Sequence, residues 1–226
     1  MKKWLIGFLV LIFLLILSLL VFLGAPYNPN NSDYIDAEPP NNLIRTIHNP
    51  DAGNTVTFLE KSHETDGEYT LLEIELQPGG GNTPHYHSRF SEDFTAIDGT
   101  VGIEVEGDEI LLDESNSAKA EAGEVHRFFN PGEEPVMFEV LIEPGSPGFE
   151  KALYILYGLA NDGLTNDDGI PHNLHHTAVF ATYSDTRAAG IQGMILGPII
   201  DRLAGRAQRT GIEKDILVRY YFSMTE

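Results

Sequence analysis

The residues best able to act together are two histidines one position apart, His85 and His87, a carboxylate at Glu92 and a third imidazole at His126. On an extended strand side chains alternate faces, so His85 and His87 point the same way about 6.5–7 Å apart, while Tyr86 points oppositely. From there both rings can converge on one ion at about 2.0–2.1 Å each. Glu92 stands an odd number of residues beyond His87, so Ser88-Arg89-Phe90-Ser91 must turn or change strand to return the carboxylate to the site. By the same alternation His126, Phe128 and Asn130 share a face and Arg127 points away. Three neutral imidazoles and one carboxylate suit a divalent transition metal (Fe, Mn, Ni, Cu or Zn) better than Mg or Ca. On a six-coordinate ion they would leave two neighbouring positions for water, oxygen or a bidentate substrate. Isolated histidines such as His48 and His63 carry no such implication.

The elements that must hold these groups are short strands. Leu72-Glu73-Ile74-Glu75-Leu76 and Val101-Gly102-Ile103-Glu104-Val105-Glu106 alternate apolar and other residues, as half-buried strands do. Further strands are expected at Thr55–Leu59, from near Phe90 to the turn Asp98-Gly99, and at 109–112, 118–120, 125–130 and 136–142. Many short strands divided by Gly, Asn and Pro indicate a sandwich or barrel. After Pro144-Gly145-Ser146-Pro147-Gly148 the period changes, and helices are expected over 149–159, 173–183 and 195–207.

The site residues also resemble the two motifs of the cupin family. The first, Gly-x5-His-x-His-x4-Glu-x6-Gly, is met in full by Gly79, His85, His87, Glu92 and Gly99. In the second, Gly-x5-Pro-x-Gly-x2-His-x3-Asn, Gly123, His126 and Asn130 match, whereas Ser115 replaces the first glycine and Glu121 the proline. Both departures fall on turn-shaping positions. The resemblance implies a mainly β fold, a single jelly-roll barrel over residues 55–145, with His85, His87, Glu92 and His126 as ligands of one divalent metal. Ile103, Val105, Phe128 and Asn130 would then line a substrate pocket beside it. The family hosts dioxygenases, isomerases, decarboxylases, sugar-binding sensors and storage proteins, so the fold alone names no reaction. Association through the sheets into a homodimer is compatible with the resemblance.

Outside the barrel, Trp4 to Leu23 is a run of 20 residues without charge, preceded by Lys2 and Lys3. As a helix it would span about 30 Å, the thickness of bilayer hydrocarbon. Residues 1–23 therefore read as a transmembrane signal anchor, with the rest of the chain on the extracytoplasmic side. A cleaved signal peptide, which would leave a secreted protein, is the alternative. Residues 24–54, rich in Asn, Pro and Asp, read as an extended linker, in which 43–47 can pair with the barrel edge. Residues 146–226 read as a helical extension whose basic amphipathic third helix packs on the barrel or lies on the membrane. Beyond residue 23, 12 basic residues face 34 acidic ones, a net of −22. That charge argues against nucleic acid as a partner. With no cysteine in the chain, neither disulfides nor thiolate ligands are available.

These features converge on an exported, membrane-tethered protein that binds a metal and a small molecule. The first expectation is a metal-dependent enzyme, dioxygenase- or isomerase-like; the alternative is a non-catalytic small-molecule or metal-binding module. The complete ligand set favours the enzyme, because a pure binder needs no four intact donors.

Overall fold

The structure is a computed structural model describing residues 2–166 and 168–225. It begins with α1 (Lys2–Leu23), followed by β1 (Thr46–Asn49), β2 (Asn54–Glu60), β3 (Thr70–Leu76) and β4 (Ser91–Asp98). Then come β5 (Val101–Val105), β6 (Asp108–Leu112), β7 (Ser117–Ala120), β8 (His126–Phe129) and β9 (Val136–Glu143). The tail holds α2 (Pro147–Asn161), α3 (Leu174–Tyr183), α4 (Gly190–Thr210) and α5 (Ile212–Leu217), the last continuing into a wider turn over Val218–Phe222.

The strands form a six-stranded sheet in the order β1-β2-β3-β9-β4-β7 and a three-stranded sheet in the order β6-β5-β8. All named pairings are antiparallel. The two sheets face each other as a jelly-roll barrel. Alternation does what the sequence implies: on β3 Leu72, Ile74 and Leu76 are buried while Glu75 is exposed. Phe58, Phe94, Ile103, Phe138 and Ile142 complete the interior. The β4–β5 turn depends on Gly99, whose φ of +78° only glycine adopts freely. Ser115, standing where the family motif has glycine, takes a φ of +66°, so the turn keeps its shape against the preference of its side chain.

The tail is part of the same packed body. Ser146 caps α2 by accepting from Phe149 N, and Pro147 starts the helix where its missing N–H costs nothing. Tyr154 of α2 then stacks on Phe58 of β2, with ring centroids 5.0 Å apart. Asn173 caps α3 in the same way.

The segment 24–54, expected as an extended linker, instead lies against the tail and the barrel. Tyr27, Ser32 and Tyr183 hydroxyls all donate to Glu213 Oε1, at 2.9, 2.7 and 2.7 Å. Lys151 Nζ donates to the carbonyls of Ile35 and Ala37, both at 2.8 Å, and burial pushes its pKa down to about 8. Ile35 and Leu43 join the core, and β1 pairs with β2. The reason is physical: a polar stretch acquires order from a few apolar anchors and from partners more than 100 residues away, which composition does not register.

α1 is long and apolar enough to cross a membrane, with a mean hydropathy of 3.3 over Trp4–Leu23. Nearly all of it is exposed, and only its end packs against the rest of the protein.

Candidate metal centre

His85 and His87 lie on an extended segment beside β8. His85 N donates to His126 O at 3.1 Å and His126 N to His85 O at 2.8 Å, which sets the two residues directly opposite each other. Gly81 lets this segment approach β8, because a Cβ there would sit 2.7 Å from Phe128 O. The other edge of the segment pairs with the α3–α4 loop: Tyr86 N donates to Arg187 O and Arg187 N to Tyr86 O, at 3.1 and 3.0 Å. Residues 88–90 then carry the chain across to β4 in the larger sheet, whose second residue is Glu92. This change of sheet brings the carboxylate back to the imidazoles despite its odd spacing.

The donor atoms converge. His85 Nε2 lies 3.1 Å from His87 Nε2. Glu92 Oε1 is 3.5 Å from His87 Nε2, and its Oε2 is 3.2 Å from His126 Nε2. One ligand nitrogen from each of the three histidines falls within a group no wider than 4.8 Å. Neighbouring donors about 2.1 Å from one ion would stand roughly 3.0–3.4 Å apart for octahedral to tetrahedral angles. The edges of 3.1 and 3.2 Å fall in that range, and the 3.5 Å edge lies just above it.

The outer nitrogens support the same reading. Each Nδ1 faces a backbone carbonyl: Thr83 O at 2.8 Å from His85, Ser184 O at 3.0 Å from His87 and Glu124 O at 2.9 Å from His126. A carbonyl only accepts, so each Nδ1 carries the proton and each neutral ring turns the lone pair of Nε2 inward. Carbonyls placed behind histidines in this way are the usual support of metal-ligating rings. The three Nε2 atoms and the carboxylate thus gather in one buried cluster, in which His126 Nε2 faces Glu92 Oε2 at 3.2 Å without a well-aligned hydrogen bond. A cation satisfies all four.

The electrostatics agree. Burial, together with the neighbouring His87 and His126, pushes His85 down to about 4, and burial also lowers His87. Burial opposes ionisation of Glu92, yet the three imidazoles hold it at about 2, so it is a carboxylate at neutral pH. Burial would lower His126 as well, but the Glu92 carboxylate beside it raises it. The pocket favours one positive charge next to Glu92.

His85, His87 and Glu92 open onto a cavity of about 240 Å3. Val56, Leu72, Ile74, Phe128 and Val140 form its barrel wall, and Phe149, Leu153, Leu156, Tyr157 and Phe180 of the tail form the other. Of the four expected pocket residues, Phe128 lines this space, whereas Ile103, Val105 and Asn130 do not. Ile103 is fully buried in the core and Val105 packs against it, because the cavity opens towards the tail helices rather than across the smaller sheet. Asn130 is locked in the β8–β9 turn: its Nδ2 donates to Leu76 O and Glu134 O, at 3.0 and 2.8 Å, and its Oδ1 accepts from Gly132 N at 2.8 Å.

What sequence reasoning missed is the contribution of the tail. Besides half the cavity wall, it supplies Ser184 O behind His87 and Asp185, whose buried carboxylate accepts from Ser88 N and Ser88 Oγ at 2.7 and 2.8 Å. The run Ser184-Asp185-Thr186 between two helical patterns signals backbone-bonding side chains. Its partner 97 residues away carried no signal at all.

A jelly-roll barrel with inward histidines at these spacings defines the cupin class. Residues 72–143 match the family described as Cupin domain, so the chain carries a cupin domain, and a three-histidine cluster within it suggests a metal site. Over 95 residues the chain is 30% identical to the tetracenomycin polyketide synthase protein TcmJ of Streptomyces glaucescens, covering 42% of this chain and 64% of that one. Over 96 residues it is 32% identical to the protein named probable oxidoreductase patJ of Aspergillus clavatus, covering 40% and 30%. The chain thus spans less than two thirds of the length of these curated relatives. Among solved structures, one described as a predicted oxalate decarboxylase from Thermotoga maritima aligns with 17% identity and a TM-score of 0.39, over 40% of this chain and 80% of that one.

Proposed function

We propose that this protein is an exported, membrane-tethered enzyme. It holds one divalent transition metal through His85, His87, Glu92 and His126 and acts on a small, largely apolar molecule bearing oxygen groups. The convergence of three inward Nε2 lone pairs on a buried carboxylate carries this reading. Bound there, the metal would supply Lewis acidity or an oxygen-binding position to a molecule in the cavity. α1 would be the tether, as a signal anchor that stays attached.

The chain's own residues do the rest. The backbone carbonyls of Thr83, Ser184 and Glu124 orient the three rings. Glu92, held at about 2, is a poor proton acceptor near neutral pH, which favours a ligand over a general base. The apolar walls shield much of the centre from water, and Asn49, Asn54, Asn82, Thr177 and Thr186 add polar groups to the lining that could orient a ligand. Among the described residues, Tyr157 and Asp168 are the titratable side chains lining the cavity beyond the cluster, which supports chemistry that runs through the metal. The names of the two sequence relatives, a polyketide synthase protein and an oxidoreductase, support a small metabolic substrate and favour oxidation over isomerisation.

The test is turnover. Full-length protein stripped of metal and reloaded with Fe, Mn, Ni, Cu or Zn is offered small phenols and diketones, with oxygen uptake and product formation followed. Metal-dependent turnover that His87→Ala abolishes supports the enzyme. Tight binding of such compounds without turnover by any metal form makes the protein a binding module.

A further inference from the structure

α4 divides at Pro198, which has no N–H to offer the carbonyl of Met194 one turn earlier. Its second half is packed: Leu203 and Ala204 are buried with Leu23 of α1 and Ala178 of α3, and Ile199 and Ile200 lie against that cluster. The first half is not. Met194, Ile195 and Leu196 are 79%, 50% and 49% exposed. Consecutive helical residues point about 100° apart, so three in a row sweep some 200° of the helix surface. A groove on another protein covers one face of a helix. A surrounding apolar medium covers such a sweep.

The position of this half says what the medium is. The end of α1 packs on α4: Arg206 lies over the Phe22 ring at 5.2 Å, Arg209 donates to the carbonyls of Leu23 and Ala25, both at 2.8 Å, and Tyr27 N donates to Asp201 O at 2.7 Å. Met194 precedes Ala204 by ten residues, so the apolar half starts about 15 Å along α4 from the point where α1 ends. Residues 190–200 carry no charge, whereas Arg202, Arg206 and Arg209 follow with Asp201 as the one acid before Glu213. In a chain of net charge −20, this local basic belt beside the end of α1 matches phosphate headgroups in charge.

We infer that the first half of α4 is a second membrane contact, seated at the boundary between headgroups and acyl chains of the leaflet from which α1 emerges. Its partner is the phospholipid bilayer. The inference rests on the reading of α1 as a membrane anchor. A contact of this kind combines buried apolar area with attraction of arginines to anionic lipid. Because the segment after α1 is fastened to the tail through Glu213, the second contact fixes how the barrel stands over the membrane instead of leaving it to swing on a tether.

The chain has no cysteine, so single-cysteine variants can be labelled cleanly. Full-length Leu196→Cys, Phe13→Cys and Leu111→Cys proteins carry an environment-sensitive fluorophore in nanodiscs of phosphatidylcholine and phosphatidylglycerol, one copy per disc, with or without doxyl-labelled lipid. Leu111 on β6, 57% exposed, is the aqueous reference, and Phe13 reports α1. The expected result is blue-shifted emission at 196 and at 13, each quenched by doxyl lipid several-fold more than at 111. Emission at 196 matching 111 while 13 stays quenched overturns the inference and leaves the anchor intact. Emission at 196 that is aqueous in single-copy discs yet blue-shifts in concentrated detergent assigns the face to a second copy, and also overturns it. An unquenched label at 13 removes the anchor reading and the inference together.

Discussion

Replacing Asp185 tests whether the helical tail completes the metal centre or merely lies beside it. Its carboxylate accepts from Ser88 N and Ser88 Oγ at 2.7 and 2.8 Å, one residue after His87. Arg89 and Arg187 approach at 3.4 and 3.8 Å. Hydrogen bonds to a charged group contribute about 1.5–3 kcal/mol each, and a stranded donor costs about 1–3 kcal/mol. The two bonds share one oxygen and are not additive, and the Arg89 pair is too exposed to contribute much. Asp185→Ala is therefore expected to destabilise the protein by about 3 kcal/mol. Asp185→Asn, which keeps an acceptor oxygen and tolerates the φ of +55°, should cost roughly half of that. The loop also carries Ser184 O, which orients the His87 ring, so metal affinity should fall about 10–100-fold in the alanine variant. Urea unfolding of the purified full-length protein measures the first effect, and competition with a chromogenic chelator measures the second. A folded Asp185→Ala protein with wild-type metal affinity would refute the claim that the tail positions His87.

Other outcomes follow from the same geometry. Ser115→Gly relieves the side chain held at a φ of +66° and should raise stability by about 0.5–1 kcal/mol in urea unfolding; a loss would mean that the hydroxyl matters more than the backbone. Leu153→Trp fills part of the cavity of about 240 Å3, so it should abolish small-molecule turnover while metal content stays stoichiometric; unchanged turnover would place the substrate elsewhere. In the metal-free protein His85 and His87 have lowered pKa values, so the folded state binds fewer protons than the unfolded one. The stability they contribute is therefore complete above about pH 6.5 and declines as pH falls towards 4. His85→Gln should flatten this decline in urea midpoints measured across that range, and an unaltered slope would contradict the assigned burial.

Strands were legible because period-two alternation reports burial directly: β3 and β5 read Leu72-Glu73-Ile74-Glu75-Leu76 and Val101-Gly102-Ile103-Glu104-Val105, and the structure puts them in those places. The histidine spacing was legible for the same reason, since alternation alone puts His85 and His87 on one side. Glu92 needed a change of sheet that spacing demanded without describing. The pocket walls were not legible. Ile103 has the right alternation and the wrong depth, and alternation turns Asn130 towards a ligand although its amide closes a turn. The order of the segment 24–54 is not legible in composition, which measures average polarity, because it comes from single long-range contacts at Glu213 and Lys151.

Shared coordination of one metal ion by His85, His87, Glu92 and His126 is the proposal on which the rest depends. Elemental analysis of full-length protein purified without a histidine tag, beside His126→Ala, tests it most directly. The expected result is one transition-metal ion per wild-type chain and its loss in the variant, whose remaining donors leave Glu92 without its nearest imidazole. Equal, substoichiometric metal in both proteins would contradict it.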